Sequence, residues 1–505
     1  MTIPRSFVLL ISSVCLWAAA VVGAGSVPPA NAVPFNIPLD NPILPRYHRN
    51  LKNLTFPHPL DHDYLQRRQM ISEDISGGLD PIFSYYGTVT FGTSSSPSTA
   101  QNFSLLFDTG SYQLWVRSTK CTGCSSSIPK FNGVRSSTYT DLNVKAPTAS
   151  YADGTQTNGT YAKDKVTIAG LSVSNLKFME VTATSDTSGL QGIMGCSYPQ
   201  QGYPTTFFQS LVWSKGISSP SMGYYIDAQS TKGAITMGGV DTNRFSGALQ
   251  WIPTFGLARD GSGGLPNMWF QGLTIGANYK NSTSTYAAAW PEKFLSVFDT
   301  GTSYGILPID LADDLHQYLP HAQRIVNQRD GSTYYFVDKS SLSQCGDITL
   351  SFVGSGGQPV HLTIGPNDYL INSQNYGNML QSVFIGNDDI KTQFFPEMPP
   401  VSAILGNGFL RKFYTVFDWG TNRTGFADAA RGVGLKTNLT VLDSTTTGEG
   451  TVTDTSPFAA YWKNAQQTYV DDTPTAVTYA KMALAASPAL VMLVPAIIVA
   501  KFAIF

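Results

Sequence analysis

One motif occurs twice in this chain, and that repeat restricts its folding more than any other feature. Phe103-Ser104-Leu105-Leu106-Phe107 runs into Asp108-Thr109-Gly110-Ser111. After 191 residues Phe294-Leu295-Ser296-Val297-Phe298 runs into Asp299-Thr300-Gly301-Thr302-Ser303. Each copy is followed by an apolar segment ending in glycine, Gly192-Ile193-Met194-Gly195 and Ala403-Ile404-Leu405-Gly406. An apolar run of this length reads as a buried strand, and the glycine supplies the sharp turn that presents the carboxylate. A lone Asp-Thr-Gly is an ordinary capped turn. Two copies with the same flanks predict two related lobes, each contributing one carboxylate to a shared site.

That arrangement has definite chemistry. Two carboxylates held face to face cannot both ionise, so the pair shares a proton. One then takes a proton from a water molecule while the other gives one to a substrate carbonyl. Asp108 and Asp299 are the expected catalytic pair. The hydroxyls of Thr109, Ser111, Thr300, Thr302 and Ser303 are suited to orient them, and Gly110 and Gly301 make the turns.

The remaining sequence supports a β-rich, exported protein. Runs of Val, Ile, Thr, Tyr and Phe alternate with Gly/Ser/Pro turns, as in Tyr86–Gly92. One clear helical stretch is expected from Pro308 to Leu319, with Leu311, Leu315 and Leu319 spaced by four. Charged residues are 13 % of the chain and the net charge is −2, which gives no electrostatic basis for nucleic-acid binding. Residues 1–24 read as a signal peptide, Arg5 preceding an apolar run that ends in small residues. Residues 25–68 read as a pro-segment, with five basic and three acidic residues, ending in Arg67-Arg68, a pair suited to a kexin-like processing protease. This basic segment would latch onto a more acidic body before activation. Two lobes, 69–255 and 256–433, follow. Residues 434–481 form a Ser/Thr-rich linker, and 482–505 an apolar tail that reads either as a membrane span or as a lipid-anchor (GPI) signal. Six Asn-x-Ser/Thr sequons (Asn53, Asn102, Asn158, Asn281, Asn422, Asn438) suit a glycoprotein. Cys121 and Cys124 are positioned for a local disulfide in an oxidising compartment, while Cys196 and Cys345 either pair or stay as free thiols.

At these residues the chain resembles the pepsin family of aspartic peptidases, particularly fungal secreted and surface-anchored members. The resemblance runs over about 83–432. Besides the two motifs it takes in Leu114-Trp115-Val116, Gly238-Gly239-Val240-Asp241 with Trp251-Ile252-Pro253, and Phe413–Asp418. It implies a mainly β, bilobal fold in which two β-barrel-like lobes flank a cleft. It also implies an endopeptidase acting on polypeptide substrates as a monomer, with no cofactor and no metal. The family's flap, a hairpin that closes over substrate, is matched by Tyr151-Ala152-Asp153-Gly154-Thr155, with Trp115 as the partner of Tyr151. Three positions depart from the family pattern: Tyr112, Ala152 and Tyr304. Cys345 stands where the family often has half a disulfide, with no cysteine downstream to complete it.

Thr302, keeping a hydroxyl beside Asp299, points to an acidic optimum. The competing reading is a catalytically silent binding or cell-wall protein on the same fold. Silent relatives tend to lose an Asp or a motif Gly, and this chain keeps all four.

Overall fold

The computed structural model describes residues 69–442, apart from 78–83, 95–99, 152–153, 198–205, 255–269, 282–284, 289–293, 391–400, 420–422, 433–436 and a few shorter breaks. The signal, the pro-segment with Arg67-Arg68, the apolar tail, Ala152, Asp153, Asn53 and Asn422 therefore lie outside the described residues.

Alternation writes the first lobe. Tyr85, Gly87, Val89 and Phe91 of strand Tyr85–Phe91 are buried while the residues between them are less so, the signature of a strand with one face on a core. It pairs with Gln101–Asp108, and the chain of pairing continues through Gly192–Gly195, Leu114–Arg117 and Leu171–Thr184 to Gln156–Ile168. The last strand returns to the first through Thr90↔Thr167 and Phe91↔Val166, closing a six-stranded barrel. Closure removes the exposed edges that an open sheet would leave. Its interior is aromatic. Phe91, Phe103, Phe131 and Phe178 meet mostly edge to face at 5.0–6.4 Å between centroids, each pair adding about 0.5–1.5 kcal/mol beyond area burial.

The second lobe is a separate sheet built on the second copy of the motif. Phe294–Phe298 lies between Gln271–Lys280 and Val401–Leu405, and the pairing extends through Gly305–Leu307 and Phe384–Gly386 to Thr333–Asp338. A short helix, Ile309–His316, packs Ala312, Leu315 and His316 inward. It is shorter than the stretch expected from the leucine spacing. Leu319 is still buried, but in the turn that follows, ahead of Pro320.

A third layer carries strands from distant parts of the chain. Ile71–Gly77, Lys232–Met237, Ser221–Ile226, Phe413–Asp418, Arg423–Ala429 and Phe245–Pro253 pair antiparallel in that order. The fold is thus mainly β and bilobal, with a central sheet drawing on both chain halves. Composition assigns 434–481 to a linker. Leu439 and Thr440 nevertheless pair with Asp241 and Val240, and Asp241 accepts from the Asn438 backbone N–H at 2.9 Å. The described chain therefore stays attached to the body through Leu442.

Candidate active site

The two Asp-Thr-Gly loops emerge from equivalent strand crossings. In the first lobe Gln101–Asp108 runs parallel to Gly192–Gly195, which pairs antiparallel with Leu114–Arg117. In the second, Phe294–Phe298 runs parallel to Val401–Leu405, which pairs antiparallel with Gly305–Leu307. The apolar-Gly segments noticed in the sequence are the strands that thread between motif and continuation. Their glycines are forced by contact. A Cβ on Gly195 would lie 2.3 Å from the Tyr112 carbonyl carbon, and one on Gly406 would lie 2.3 Å from the Thr302 carbonyl oxygen.

The loops grip one another symmetrically. The Thr109 N–H donates to Thr300 Oγ1 and the Thr300 N–H donates to Thr109 Oγ1, both at 3.0 Å. Each hydroxyl then donates across the lobes, Thr109 to the Phe298 carbonyl at 2.8 Å and Thr300 to the Phe107 carbonyl at 2.6 Å. Both threonines are fully buried, so these four bonds satisfy groups that have no water to turn to.

Each carboxylate is held in the same cradle. Gly110 N–H donates to Asp108 Oδ1 at 2.8 Å, and Gly301 N–H to Asp299 Oδ1 at 2.7 Å. The other oxygens accept from hydroxyls, Asp108 Oδ2 from Ser111 and Asp299 Oδ2 from Thr302, the latter at 2.7 Å. Asp108 and Asp299 are 5 % and 8 % exposed. A Cβ on Gly110 would fall 2.5 Å from Asp299 Oδ2, and one on Gly301 2.3 Å from Asp108 Oδ1. Only glycine at each position lets the opposite carboxylate come this close. Burial, then the charge of Asp299, hold the Asp108 carboxyl well above the usual carboxylate range, against the opposing bonds from Ser111 and Gly110. Such a pair retains a proton where isolated carboxyls have lost theirs.

The sequence-predicted flap segment forms a hairpin turn in the first lobe. Tyr151 N–H donates to the Thr155 carbonyl and Gly154 N–H to the Tyr151 carbonyl, with Gly154 at φ +81°, where glycine is unstrained. Tyr151 is tied down by its hydroxyl, which accepts from Trp115 Nε1 at 2.6 Å. Trp115 is itself buried among Leu106, Tyr161, Met179 and Ile193.

A family model described as "Eukaryotic aspartyl protease" matches residues 84–429. The chain belongs to this family. It is similar to gastricsin of Rattus norvegicus, 30 % identical over 357 residues that span 68 % of this chain and 80 % of the relative. Cathepsin E of Rattus norvegicus is 30 % identical over 69 % of this chain and 82 % of its own length. Gastricsin of Callithrix jacchus is 28 % identical over 75 % and 91 %. The protein is an aspartic-type endopeptidase.

In this aspartyl protease several supporting residues escaped the sequence reading. Buried Asn407 donates from Nδ2 to the Thr300 carbonyl at 2.9 Å and from its backbone to Thr302 O, while Tyr224 OH donates to its Oδ1. In the first lobe the Cys196 N–H bonds the Asp108 carbonyl at 2.7 Å and the Ser197 N–H bonds that of Ser111. No local signal marked them: Asn407 is known by its partners, and the Cys196 and Ser197 bonds come from backbone N–H groups that any residue but proline supplies. Cys121 and Cys124 form the disulfide, and Cys196 and Cys345 are separate buried thiols. Of the departures, Tyr112 is half-buried. Tyr304 faces Tyr334 and accepts from Gln381 Nε2 at 3.1 Å. Ser303 accepts from the Gly408 N–H.

Proposed function

We propose that this protease hydrolyses peptide bonds at acidic pH through a water activated between Asp108 and Asp299. The observation that carries the reading is the symmetric cradle. Each carboxylate takes one backbone N–H and one hydroxyl, and the glycines let the two approach. The ionised carboxylate removes a proton from water as its oxygen attacks the scissile carbonyl carbon. The protonated one donates to the carbonyl oxygen, giving a neutral tetrahedral diol. Collapse of the diol returns a proton to the carboxylate pair and passes one to the leaving amine. Holding a shared proton requires that the pair not lose it, so the useful range lies on the acid side. The Tyr151–Thr155 turn acts as the flap, and Trp115 keeps Tyr151 in place. Closing it would exclude water from the reacting bond.

The same reading makes the chain a secreted zymogen. Residues 1–24 direct export, 25–68 keep the enzyme inactive until cut after Arg67-Arg68, and 482–505 serve to anchor the mature enzyme at the cell surface. The test is to secrete the full chain from a eukaryotic host and follow cleavage of denatured globin across the acidic range. Wild-type protein and Asp299→Asn are compared, with and without the transition-state analogue pepstatin. Pepstatin-sensitive cleavage that vanishes in the variant is expected. The variant should fall by at least about 10²-fold, the lower end for loss of a general acid or base. Folded, processed protein that cuts nothing at any pH would instead support the silent binding protein.

A further inference from the structure

Arg117 is an arginine with almost no access to water, 1 % exposed, and neither the carboxylate pair nor the flap turn accounts for it. It lies two residues after Trp115. Its Nε and Nη2 are both spent on one loop, the connection between strands Leu171–Thr184 and Gly192–Gly195. Nε donates to the Leu190 carbonyl at 2.6 Å, and Nη2 donates to the Asp186 carbonyl at 3.2 Å and pairs with the Asp186 carboxylate. Its backbone N–H holds the end of the loop, at the Gln191 carbonyl, 2.9 Å away. Asp186 is itself shielded, and its second oxygen accepts from the Ser188 N–H within the loop.

The loop so held touches both halves of the proposed machinery. Ser185 exchanges bonds with Gln156, which directly follows the flap turn. Leu190 packs on the apolar cluster of Trp115 and Tyr151. The loop then enters Gly192–Gly195, the strand beside Asp108. A buried ion pair gives little net stability over apolar residues of the same size, and stability alone is a weak reason to keep one. An apolar side chain at position 117, however, would leave the loop's inward-facing carbonyls unpaired and its conformation unset.

We infer that Arg117 and Asp186 are positioning residues that fix the 185–190 loop as a wall beneath the flap, so that substrate binding depends on their ion pair. The inference rests on the catalytic reading above. The pair does not touch the reacting atoms, so it should govern KM and leave kcat nearly alone.

The full chain is secreted as wild type, Asp186→Asn, Arg117→Lys and Arg117→Met. Each is assayed on an internally quenched peptide with apolar residues at the scissile bond, and hydrogen–deuterium exchange is followed at residues 185–191. Arg117→Met is expected to raise KM by about tenfold or more, as misplaced binding groups do, with kcat within about twofold and faster exchange confined to the loop. Arg117→Lys should recover part of the loss, and Asp186→Asn should fall between. Should Arg117→Met fail to fold, Asp186→Asn decides alone. Unchanged KM and unchanged loop exchange in folded Asp186→Asn would overturn the inference, as would a loss carried by kcat. Wild-type protein that is inert toward the peptide would defeat the catalytic reading separately, and exchange in the variants would still report whether the pair pins the loop.

Discussion

At the scale of single residues, the site is a set of satisfied buried groups. Thr300 shows how much hangs on one hydroxyl, which accepts from the Thr109 N–H and donates to the Phe107 carbonyl. Thr300→Val keeps the shape and removes both bonds, leaving a buried N–H and C=O unpaired. Urea unfolding should show a loss of about 1–3 kcal/mol, with activity reduced because the loops lose their mutual register. An unaltered midpoint would mean that the grip contributes nothing. The carboxylates, motif glycines and hydroxyls could all be picked out from the sequence, because a repeated short motif survives without knowledge of the fold. Asn407 and Arg117 could not. An Asn after a glycine and an Arg in a strand have no local mark, and their importance comes from partners at Thr300 and at 186–190.

At the scale of elements, two strand crossings do the positioning, and their tolerance is set by contact distances between backbones. Gly195 lies where a Cβ would meet Tyr112 and Gln113 backbone atoms at 2.3 and 2.5 Å. Neither is a flexible side-chain end that can swing aside. Gly195→Ala should therefore cost about 1–3 kcal/mol as an overpacked site, visible as a lower melting temperature and lower secreted yield. The same substitution at Gly247, an exposed position at the register shift in strand Phe245–Pro253 with no neighbour within 4 Å of the added carbon but φ +78°, should act only through backbone strain. Strand alternation such as that of Tyr85–Phe91 was visible in the sequence. Which strand pairs with which was not. The closure Thr90↔Thr167 and the parallel pairing of Phe107 with Met194 join residues far apart in sequence, and alternation carries no partner information.

At the scale of the whole molecule, stability should depend on pH from two directions. The Asp108 carboxyl is held above its ordinary value by burial and by Asp299. Its contribution is present at low pH and is lost as pH rises through its folded value. His316 behaves oppositely. It is buried, stacked on Tyr335 at 3.8 Å, with Nδ1 on the Ala312 carbonyl, Nε2 on Ser382 Oγ and Asp313 nearby. Burial lowers its pKa from 6.5 to about 4. The unfolded chain therefore takes up a proton that the fold refuses, and stability falls as pH drops from 6.5 toward about 4. Melting temperatures read across this range should fall less steeply toward acid in His316→Gln than in wild type. Asp108→Asn should gain relative stability as pH rises toward neutral. Parallel curves for all three proteins would show that neither group is linked to folding.

By itself the sequence determined the enzyme class and the class of fold. Two apolar strands ending in Asp-Thr-Gly, the downstream apolar-Gly segments, the Tyr151–Gly154 turn and the closely spaced Cys121 and Cys124 are local patterns, and local patterns can be read without coordinates. The tertiary structure alone decided what requires distant groups to meet. It brought Thr109 and Thr300 into one grip and set Asp108 against the turn of Gly301. It placed Phe413–Asp418 beside Ser221–Ile226, kept Cys196 and Cys345 apart, and buried Arg117 against Asp186. The physical reason is the same in each case. A buried polar group or a close backbone approach is defined by its partner, and the partner's place is settled only when the whole chain has packed.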